Sequence, residues 1–439
     1  MAIPTVTVIG AGIAGLSAAY RLQEKGFSVK VLESNNFPGG RMTQLHEQGL
    51  SYNSGARLCY SFYSEINKLI SDLGLQDSIV RHEKMDILCQ DAQQHYALPL
   101  SPAFELFAHP LLPWKEKLSL IRLLPDILYA RNKINPGWMI SAEKFDQQSL
   151  ADYAREKVGP VFLEKFIEPV FRGTRSWDPE QISAAFFIST CAYMLPGSFT
   201  FNFKQGIGHL TSELAKHVDI QYCAEVKEIN RDTKNDNCLV RYKFEGKVQE
   251  IVSDITVCAV EGAFAANLIL DPEPAEEALF EAIKYNPLGI VHAKVKTSEK
   301  MNITFHAKET DSEISIIDVN ETNGDSTLYC QMSPELSRKV KDAGDTRRLF
   351  SRLQNSLQKE YPGIVVDENT VVNQWIENML PVFYPGYIKK ISEFQKYQEQ
   401  RPRLTYYCGD YLSQALVEGA CKSGNHVAKN IISHRLDHA

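Results

Sequence analysis

The pattern of apolar and polar positions in the first 33 residues predicts a strand, a helix and a second strand. The apolar run at residues 6–9 is typical of a strand that is buried on both faces of a parallel sheet. Apolar side chains recur at helical spacing over residues 16–25, and Gly26 provides a helix stop. A second strand, residues 28–32, ends at Glu33. This order predicts a parallel α/β unit.

The turn between the first strand and the helix carries the pattern G-x-G-x-x-G. Gly10 permits a tight turn, Gly12 leaves room for a pyrophosphate against the backbone, and Gly15 allows the helix to pack closely on the strand. The N-terminus of the helix favours phosphate, and Glu33 is placed to accept hydrogen bonds from both ribose hydroxyls. A structural glycine turn is the alternative, but the flanking elements and the terminal acid agree with a dinucleotide-binding site.

Further along the chain, periodicity predicts the remaining elements. Alternation near residue 292 places Val291, Ala293 and Val295 on one face of a strand, and His292 and Lys294 on the other. The other predicted elements are a helix at 64–73 with Ser64 as its cap, a hairpin at 85–98, helices at 114–131, 276–288 and 346–361, a hairpin at 240–252 and a buried strand at 255–260.

Length and composition limit the class of protein. The chain has 439 residues, of which 44% are hydrophobic and 23% charged, enough for a large core in two or three domains. A net charge of −7 without a basic arm argues against nucleic-acid binding. The chain lacks an apolar run long enough for a spanning helix, and a first strand near Thr5 leaves no room for a signal peptide. Nine scattered cysteines predict reduced thiols, and therefore a cytoplasmic protein, rather than disulfides or a zinc site.

Two further motifs point to the identity of the dinucleotide. Gly39-Gly40-Arg41 follows Glu33, and Gly409-Asp410 precedes a helix expected from about Val417. With the N-terminal motif, they resemble the flavin amine oxidase and protoporphyrinogen oxidase superfamily. The resemblance implies one FAD per chain, bound non-covalently because the cysteine segment that tethers flavin in monoamine oxidases is absent. The residues that it assigns to the cofactor are Gly10, Gly12, Ile13, Ala14, Gly15, Glu33, Ser34, Gly39, Gly40, Arg41, Gly55, Ala56, Arg57, Val226, Gly409, Asp410, Val417 and Ala420.

The resemblance covers nearly the whole chain and implies its architecture. The expected fold is α/β (α+β overall), with a Rossmann-like FAD domain of the two-dinucleotide-binding type. This domain is expected to be discontinuous and to comprise residues 1–85, 206–285 and 376–439. An inserted substrate domain of mixed sheet and helices takes residues 86–205 and 286–375. No metal site is expected, because the cysteines form no C-x-x-C pair.

Arg57 is the first candidate for contact with the substrate. It is similar to an arginine that grips the substrate carboxylate in L-amino-acid oxidases, and guanidinium geometry suits such a grip. Its loop, which includes Asn53 and Ser54, contains no acid that could pair with it. A salt bridge and a contact with the flavin phosphates are the alternatives. If Arg57 binds the substrate in this way, the substrate carries a carboxylate.

Three further residues are candidates for the flavin site. Amine oxidases carry a lysine that holds a water against flavin N5; counted from residues 287–289, its place falls on Ala293, and a one-residue shift would give Lys294. The missing lysine favours the protoporphyrinogen oxidase or desaturase side of the superfamily. Trp375 and Tyr384 belong to a loop similar to the family's W-x-x-x-x-P-x-Y-x-P-G. They either wall the flavin site or pack in the core.

The helix at 114–131 has two interpretations. Its apolar stripe, Leu118, Ile121, Leu124, Ile127 and Leu128, is compatible with a helix on a membrane surface, as in some relatives. The same stripe is compatible with a helix that covers the substrate tunnel. The polar face carries acidic as well as basic residues, and the chain is acidic, so the second interpretation is favoured.

The resemblance implies a FAD-dependent oxidoreductase. The substrate is expected to be a hydrophobic amine, pyrroline or porphyrinogen-like molecule that loses a hydride from a C–N or C–C bond to flavin N5. Molecular oxygen or another acceptor would take the electrons, and the protein is expected to be a monomer or homodimer. A redox-neutral flavoenzyme, an isomerase or mutase, is the alternative. A protein that retains FAD without turnover is a third possibility.

Overall fold

The computed structural model describes residues 3–82, 87–99, 103–194, 198–297, 301–322 and 325–436, which form sheets flanked by helices. The strands in chain order are β1 Thr5–Ile9, β2 Ser28–Leu32, β3 Gln44–Glu47, β4 Leu50–Asn53, β5 Cys59–Tyr60, β6 Ile79–His82, β7 Ile87–Gln90, β8 His95–Ala97, β9 Thr200–Phe203, β10 Asp219–Gln221, β11 Glu225–Asp232, β12 Asn237–Phe244, β13 Lys247–Ser253, β14 Ile255–Cys258, β15 Tyr285–Thr297, β16 Ile303–His306, β17 Ile314–Thr322, β18 Asp325–Met332, β19 Ile364–Val366, β20 Val372–Pro381 and β21 Thr405–Tyr407. The α-helices are α1 Ile13–Gln23, α2 Ser64–Asp72, α3 Ala103–Ala108, α4 Trp114–Ser119, α5 Leu124–Lys133, α6 Leu150–Lys157, α7 Pro160–Phe162, α8 Glu168–Arg175, α9 Ala184–Cys191, α10 His209–Ala215, α11 Gly262–Leu268, α12 Pro274–Ala282, α13 Pro334–Ala343, α14 Leu349–Glu360, α15 Tyr387–Glu399 and α16 Val417–Leu436.

A five-stranded parallel sheet has the order β10-β2-β1-β14-β21, with β1 in the middle. Val6 and Val8 of β1 are buried because helices cover the sheet, and they share a core with Val427 of α16. Helix α1 packs closely on α16: a Cβ on Gly424 would overlap the carbonyl oxygen of Ala14. The expected α/β fold, with elements from both ends of the chain in one sheet, is confirmed.

A larger sheet contains β15 and has the order β19-β15-β18-β17-β16-β7-β8, with β20 also paired to β15. The predicted alternation in β15 is confirmed. Val291 and Val295 lie in a core with residues of α13 and α14, such as Val340. His292, on the opposite face, stacks on Tyr52 with ring centroids 4.6 Å apart. One face of β15 is therefore covered by helices, and the other faces the β4 region.

Several predicted boundaries differ from the structure. The helix expected at 276–288 ends at Ala282, because β15 begins at Tyr285. Helix α13 was not predicted, although Ser333 caps it by accepting a hydrogen bond from the N–H of Leu336. The expected domain boundary at residue 376 falls inside β20, so that strand belongs entirely to the larger sheet. The hairpin expected at 85–98 is present as β7 and β8; its residues 85 and 86 lie outside the described residues.

Helix α2 is capped from a distant helix, not by Ser64 as expected. Glu418 of α16 accepts hydrogen bonds from the backbone N–H groups of Glu65 and Ile66, at 2.9 and 3.1 Å, and from the Ser64 hydroxyl. A carboxylate at a helix N-terminus satisfies its free N–H groups and its dipole. The cap therefore ties α2 to the C-terminal helix.

Helices α4 and α5 turn their apolar stripe outward. Leu118, Ile121, Leu124 and Leu128 of the predicted stripe are exposed, as is Trp114 at the start of α4, whereas Ile127 is half-buried against the main core. The expectation that the stripe covers a substrate tunnel is not met, because most of the stripe faces solvent. The face opposite the stripe holds the packing residues of this segment. No helix of the described residues has the length and apolar character needed to cross a membrane.

Candidate active site

A continuous cavity of 1720 Å³ extends from the carboxyl edge of the parallel sheet to the larger sheet. We call its two parts the glycine end and the apolar end. The glycine end is lined by Gly10, Gly12, Ile13, Ala14, Glu33, Ser34, Gly39, Gly40, Arg41, Val226, Glu261, Gly409 and Asp410. The apolar end is lined by Arg57, Leu88, Leu98, Arg175, Met194, Phe305, Ile316, Asp318 and Tyr329. Gly55, Ala56, Val417 and Ala420 also line the cavity, so Gly15 is the exception among the residues predicted to hold the cofactor.

The glycine loop has the geometry of a phosphate site. Gly12 precedes α1, and a Cβ there would meet no protein atom within 4 Å, so its backbone borders open cavity. Gly15 has a different role, because a Cβ on it would overlap the carbonyl oxygen of Gly10. Open backbone at the positive end of a helix is the environment that a pyrophosphate needs. The residues present therefore fit the pyrophosphate of FAD.

Glu33 is buried at the end of β2 and already makes hydrogen bonds within the protein. One carboxylate oxygen accepts from the N–H of Ala11 at 2.7 Å. The other accepts from the N–H and side-chain amide of Asn35, at 2.9 and 2.8 Å. Glu33 thus fixes the glycine loop while its side chain borders the cavity. A contact with the ribose hydroxyls stays a prediction.

Arg41 joins three segments of the chain at the glycine end. Its guanidinium donates to the carbonyl oxygen of Met379 at 2.8 Å and to the Asp410 carboxylate at 2.9 Å, and Nε lies 3.6 Å from Glu261. Burial opposes the charge of Arg41, but Asp410 and Glu261 raise its pKa above the ordinary value. Burial raises the pKa of Glu261, and Arg41 acts against that rise. These contacts hold the 39–41 loop against the C-terminal segment.

A buried network supports the loop at Asn53 and Ser54. The side-chain amide of Gln374 donates to the carbonyl oxygens of both residues, each at 3.2 Å. The Oε1 atom of Gln374 is 2.8 Å from Nε2 of His292, which also stacks on Tyr52. Burial lowers the pKa of His292 to about 4. The imidazole is therefore neutral at physiological pH and positions a loop that borders the cavity.

Arg57 has an internal acid partner, which corrects the premise that it needs a substrate carboxylate. Its Nη2 lies 2.7 Å from Oδ2 of Asp318, and its guanidinium carbon lies 4.3 Å from the ring centroid of Tyr329. Asp318 lies in β17, 261 residues further along the chain. Its side chain is only 4% exposed. The salt-bridge alternative for Arg57 is the one that the structure contains.

Neither Ala293 nor Lys294 lines the cavity. Ala293 pairs with Leu328, a residue of the core under α13 and α14. The expectation that Ala293 faces the flavin is not met, because this face of β15 is turned toward those helices. Lys294 lies on the other face, and its N–H donates to the hydroxyl of Thr370 at 2.8 Å.

Trp375 and Tyr384 also lie outside the cavity lining. The indole N–H of Trp375 donates to the Glu377 carboxylate at 2.8 Å. The hydroxyl of Tyr384 donates to the carbonyl oxygen of Ala282 at 2.8 Å, and its ring packs against the main core. Packing is therefore the role that the structure gives to both aromatic residues.

Sequence reasoning missed several polar residues of the cavity. Glu261 follows the buried strand β14, and Asp318 lies in the middle of β17. Arg175 ends helix α8 beside buried aromatic rings, and the hydroxyl-bearing Tyr63 is almost fully buried. A charged side chain within or beside an apolar segment was the sequence signal that could have identified them. Such groups are rarely buried unless they have a partner.

The C-terminal helix begins where it was expected. Helix α16 starts at Val417, and Leu416, Val417 and Ala420 border the cavity. Its N-terminus presents the positive end of a helix dipole to this space. Among the described residues, no cysteine lines the cavity, so no thiol is available there to tether a flavin.

Comparisons with known proteins agree with this geometry. A family model described as flavin containing amine oxidoreductase matches residues 13–432. A chloroplastic/mitochondrial protoporphyrinogen oxidase of Arabidopsis thaliana is 28% identical over 183 residues, which are 40% of this chain and 34% of that protein. The chain thus spans about a third of the length of this relative.

Two solved structures have the same fold over almost the whole chain. A putative protoporphyrinogen oxidase from Exiguobacterium sp. 255-15 has a TM-score of 0.72 at 15% identity, covering 98% of this chain and 99% of that chain. A CLA-producing fatty acid isomerase from P. acnes has a TM-score of 0.68 at 15% identity, covering 98% of each chain. The fold thus occurs in proteins named as oxidases and as isomerases.

Proposed function

The chain belongs to the family of flavin-containing amine oxidoreductases, and we propose that it oxidises a hydrophobic small molecule with FAD as its cofactor. A hydride leaves a carbon of a C–N or C–C bond in an amine, pyrroline or porphyrinogen-like compound. The neighbouring nitrogen lone pair, or a conjugated system, takes up the developing positive charge. Molecular oxygen or another acceptor then takes the two electrons.

The continuity of the cavity is the observation that carries this proposal. The glycine end suits a dinucleotide, whereas Leu98, Phe305 and Ile316 give the other end an apolar wall. Both ends belong to one space, so a substrate at the apolar end can lie against a cofactor that extends from the glycine end. Apolar walls exclude water from the reacting bond.

The residues of the chain divide the work of holding FAD and substrate. When bound, FAD supplies a two-electron acceptor. The backbone at Gly12 and the N-terminus of α1 would hold the pyrophosphate, and Glu33 would accept hydrogen bonds from the ribose. The N-terminus of α16, at Val417, would favour negative charge on the flavin ring.

The polar side chains of the apolar end suit binding rather than proton transfer. Burial raises the pKa of the Tyr329 and Tyr63 hydroxyls, so both are neutral near pH 7. Asp318 is paired with Arg57 at 2.7 Å. These three side chains therefore do not supply a base, and the proposed reaction starts from an amine that is already neutral, or from a carbon centre.

Anaerobic mixing of the FAD-loaded protein with candidate amines, pyrrolines and porphyrinogens tests the proposal. Bleaching of the oxidised flavin absorbance in step with substrate oxidation is the expected result. Product formation that needs pre-reduced flavin and consumes no oxidant would instead identify a redox-neutral isomerase or mutase. Acid precipitation should release the flavin into the supernatant, since it is held without a covalent bond.

We also propose that the exposed stripe of α4 and α5 contacts an anionic lipid surface. The sequence argued against this contact through Glu116 and Asp126, but both carboxylates are turned inward. Glu116 accepts hydrogen bonds from the N–H groups of Val161 and Phe162, at 3.2 and 2.8 Å. Asp126 accepts from the Tyr153 hydroxyl at 2.8 Å. The exposed charged residues of segment 114–133 are all basic: Lys115, Arg122, Arg131 and Lys133.

An apolar stripe bordered by basic residues matches the surface of an anionic bilayer. Wild-type protein should co-sediment with phosphatidylglycerol vesicles, and less with phosphatidylcholine vesicles. The double variant Leu118→Asp/Ile121→Asp should lose this binding, whereas Val248→Asp/Val252→Asp, two exposed positions on β13, should keep it. Equal binding by both variants, or a homodimer that only the first variant disrupts, would reject the lipid contact.

A further inference from the structure

Arg175 is a buried cation at the apolar end. The residue is 8% exposed and lines the cavity. Its Nη1 donates to the Thr174 hydroxyl at 2.6 Å, and its guanidinium carbon lies 5.3 and 5.1 Å from the ring centroids of Phe171 and Phe186. Its buried Nε has no hydrogen-bond partner, and no carboxylate among the described residues forms an ion pair with it. Arginine keeps its charge even when it is buried.

Arg172, one turn earlier in the same helix, has the partners that Arg175 lacks. It is 4% exposed, and its Nη1 and Nη2 each donate to the Glu335 carboxylate at 2.7 Å. Its Nε lies 3.4 Å from Glu168. Burial opposes the charge of Glu335, but the hydrogen bonds and charge of Arg172 lower its pKa to about 2. Helix α8 thus contains one buried arginine that the protein neutralises and one that it does not.

The aromatic contacts of Arg175 offset only part of the cost of burying its charge. Attraction to two phenyl rings is weaker than a carboxylate pair in a dry site. The neighbouring cation, Arg57, does not share this situation, because Asp318 neutralises it. Tyr63 also lines the cavity, and the charge of Arg175 opposes the rise that burial causes in its pKa. An anion in the cavity would therefore find an unpaired guanidinium, with a neutral tyrosine in the same cavity.

We propose that Arg175 binds a carboxylate of the substrate, so that the natural substrate is a hydrophobic acid. A guanidinium at the wall suits the two oxygens of a carboxylate, and the apolar lining suits the rest of the molecule. The inference rests on the proposed function, because it assigns one end of the substrate at the same cavity. Arg175 thus takes the carboxylate-binding role that the sequence suggested for Arg57. Arg57 is already paired with an acid of the protein, whereas Arg175 is not.

Ligand binding to the FAD-loaded protein, without turnover, tests the inference. The probes are phenylbutyrate and its neutral amide, compared by equilibrium dialysis near pH 7.5. Wild type should bind the acid at least about tenfold more tightly than the amide, as a charge-assisted pair predicts. Arg175→Met should bring this ratio close to one and leave amide affinity unchanged. Arg175→Lys should keep part of the preference, because it retains the charge without the planar fork.

The double variant Arg57→Met/Asp318→Asn is the matched control. It removes another cation from the same wall together with its partner, and it should keep the acid preference. Loss of the preference in this control together with its retention in Arg175→Met would overturn the inference, as would equal affinity of wild type for acid and amide. Because dialysis does not depend on catalysis, failure here leaves the proposed oxidation untouched, and failure to bleach the flavin leaves the anion site testable.

Thermal unfolding gives a second readout that separates binding from packing. Arg175→Met should unfold at the same temperature as wild type or higher, because it removes an unpaired buried charge. Arg172→Met should unfold at a lower temperature, because Glu335 and Glu168 lose their partner. Phenylbutyrate should raise the midpoint of wild type but not of Arg175→Met. A strong loss of stability in Arg175→Met, with the phenylbutyrate effect intact, would assign Arg175 to aromatic packing and reject the anion site.

Discussion

The glycine end and the apolar end of the cavity are built by different means. At the glycine end, backbone groups after β1 and before α1 create the binding surface, and the sequence between them is a short motif. At the apolar end, side chains from α8, β16, β17 and β18 create it, and these elements are far apart in the chain. The backbone part of the first surface is specified locally, although Glu261, Gly409 and Asp410 complete it from distant segments. The second surface exists only after the larger sheet has formed.

The arginines that line the cavity differ in the number of acidic partners that the protein gives each of them. Arg41 at the glycine end faces two acids, Asp410 and Glu261. Arg57 faces one, Asp318. Arg175 faces none among the described residues. The number of internal partners therefore separates cations that hold the fold together from one that is left for a ligand.

The largest effect is expected from Gly12→Val at the glycine end. The new Cβ would extend into open cavity, where the proposed pyrophosphate site lies, with no protein atom within 4 Å of it. FAD affinity should fall by at least about a hundredfold, roughly 3 kcal/mol, while the apoprotein keeps its unfolding temperature. Flavin titration of Gly12→Val and Gly12→Ala measures the loss, and the alanine variant should be intermediate. Unchanged affinity in the valine variant would place the pyrophosphate elsewhere.

At the apolar end, Arg57→Met should reduce stability while FAD remains bound. The variant leaves the buried carboxylate of Asp318 unpaired, which costs about 3 kcal/mol in comparable cases. Asp318→Asn in the same chain should restore most of the loss, since the uncompensated charge is gone. Urea unfolding of both single variants and the double variant measures the coupling. If the losses in unfolding free energy of the two single variants simply add up in the double variant, the interaction between Arg57 and Asp318 does not stabilise the protein.

The network between the two ends gives a pH-dependent prediction. His292 has a folded pKa of about 4 against an ordinary 6.5, so the unfolded chain binds the extra proton between these values. Its contribution to stability is present above about pH 6.5 and is lost as the pH falls toward 4, by up to about 1.4 kcal/mol per pH unit.

Urea unfolding of wild type and His292→Gln, at several pH values from 7.5 to 5, tests this sign. The difference in unfolding free energy between wild type and His292→Gln should become smaller as the pH falls. His306, whose pKa burial also lowers to about 4, is present in both proteins and cancels. A gap that widens toward acid pH would mean that the imidazole is charged in the folded state.

The smallest effect is expected from Lys294→Met. Lys294 lies in β15 outside the cavity lining, so flavin reduction should stay within about tenfold of wild type, roughly 1.4 kcal/mol of barrier. Stopped-flow reduction with a substrate that bleaches the wild-type flavin measures the rate. A thousandfold loss with FAD still bound would instead place Lys294 at the flavin site.

The backbone of the glycine end could be predicted from the sequence because local patterns specify backbone geometry. The glycine spacing, the strand before it and the helix after it are readable in one stretch, and the start of α16 at Val417 follows from its own motif. The alternation of β15 was also readable, because strand periodicity is local. The sequence did not indicate which face of β15 is turned toward the cavity, since that depends on where α13 and α14 pack.

The polar pairs could not be predicted, because they join residues that no local pattern links. The sequence around Arg57 contains no acid, and Asp318 enters only through the register of β17. Glu116 and Asp126 appear on a polar face in sequence, yet both point inward to satisfy backbone and hydroxyl donors.

The strand order of the parallel sheet has a consequence for folding during synthesis. Strand β14 lies between β1 and β21, and α1 packs on α16, so the first and last elements of the chain are neighbours. At roughly 5–20 residues per second, the roughly 400 residues between β1 and β21 take on the order of 20–80 seconds to synthesise. Until then β14 has an unpaired edge and α1 an uncovered face. The glycine end, which Gly409 and Asp410 help to line, is therefore complete only after this last part of the sheet has been synthesised.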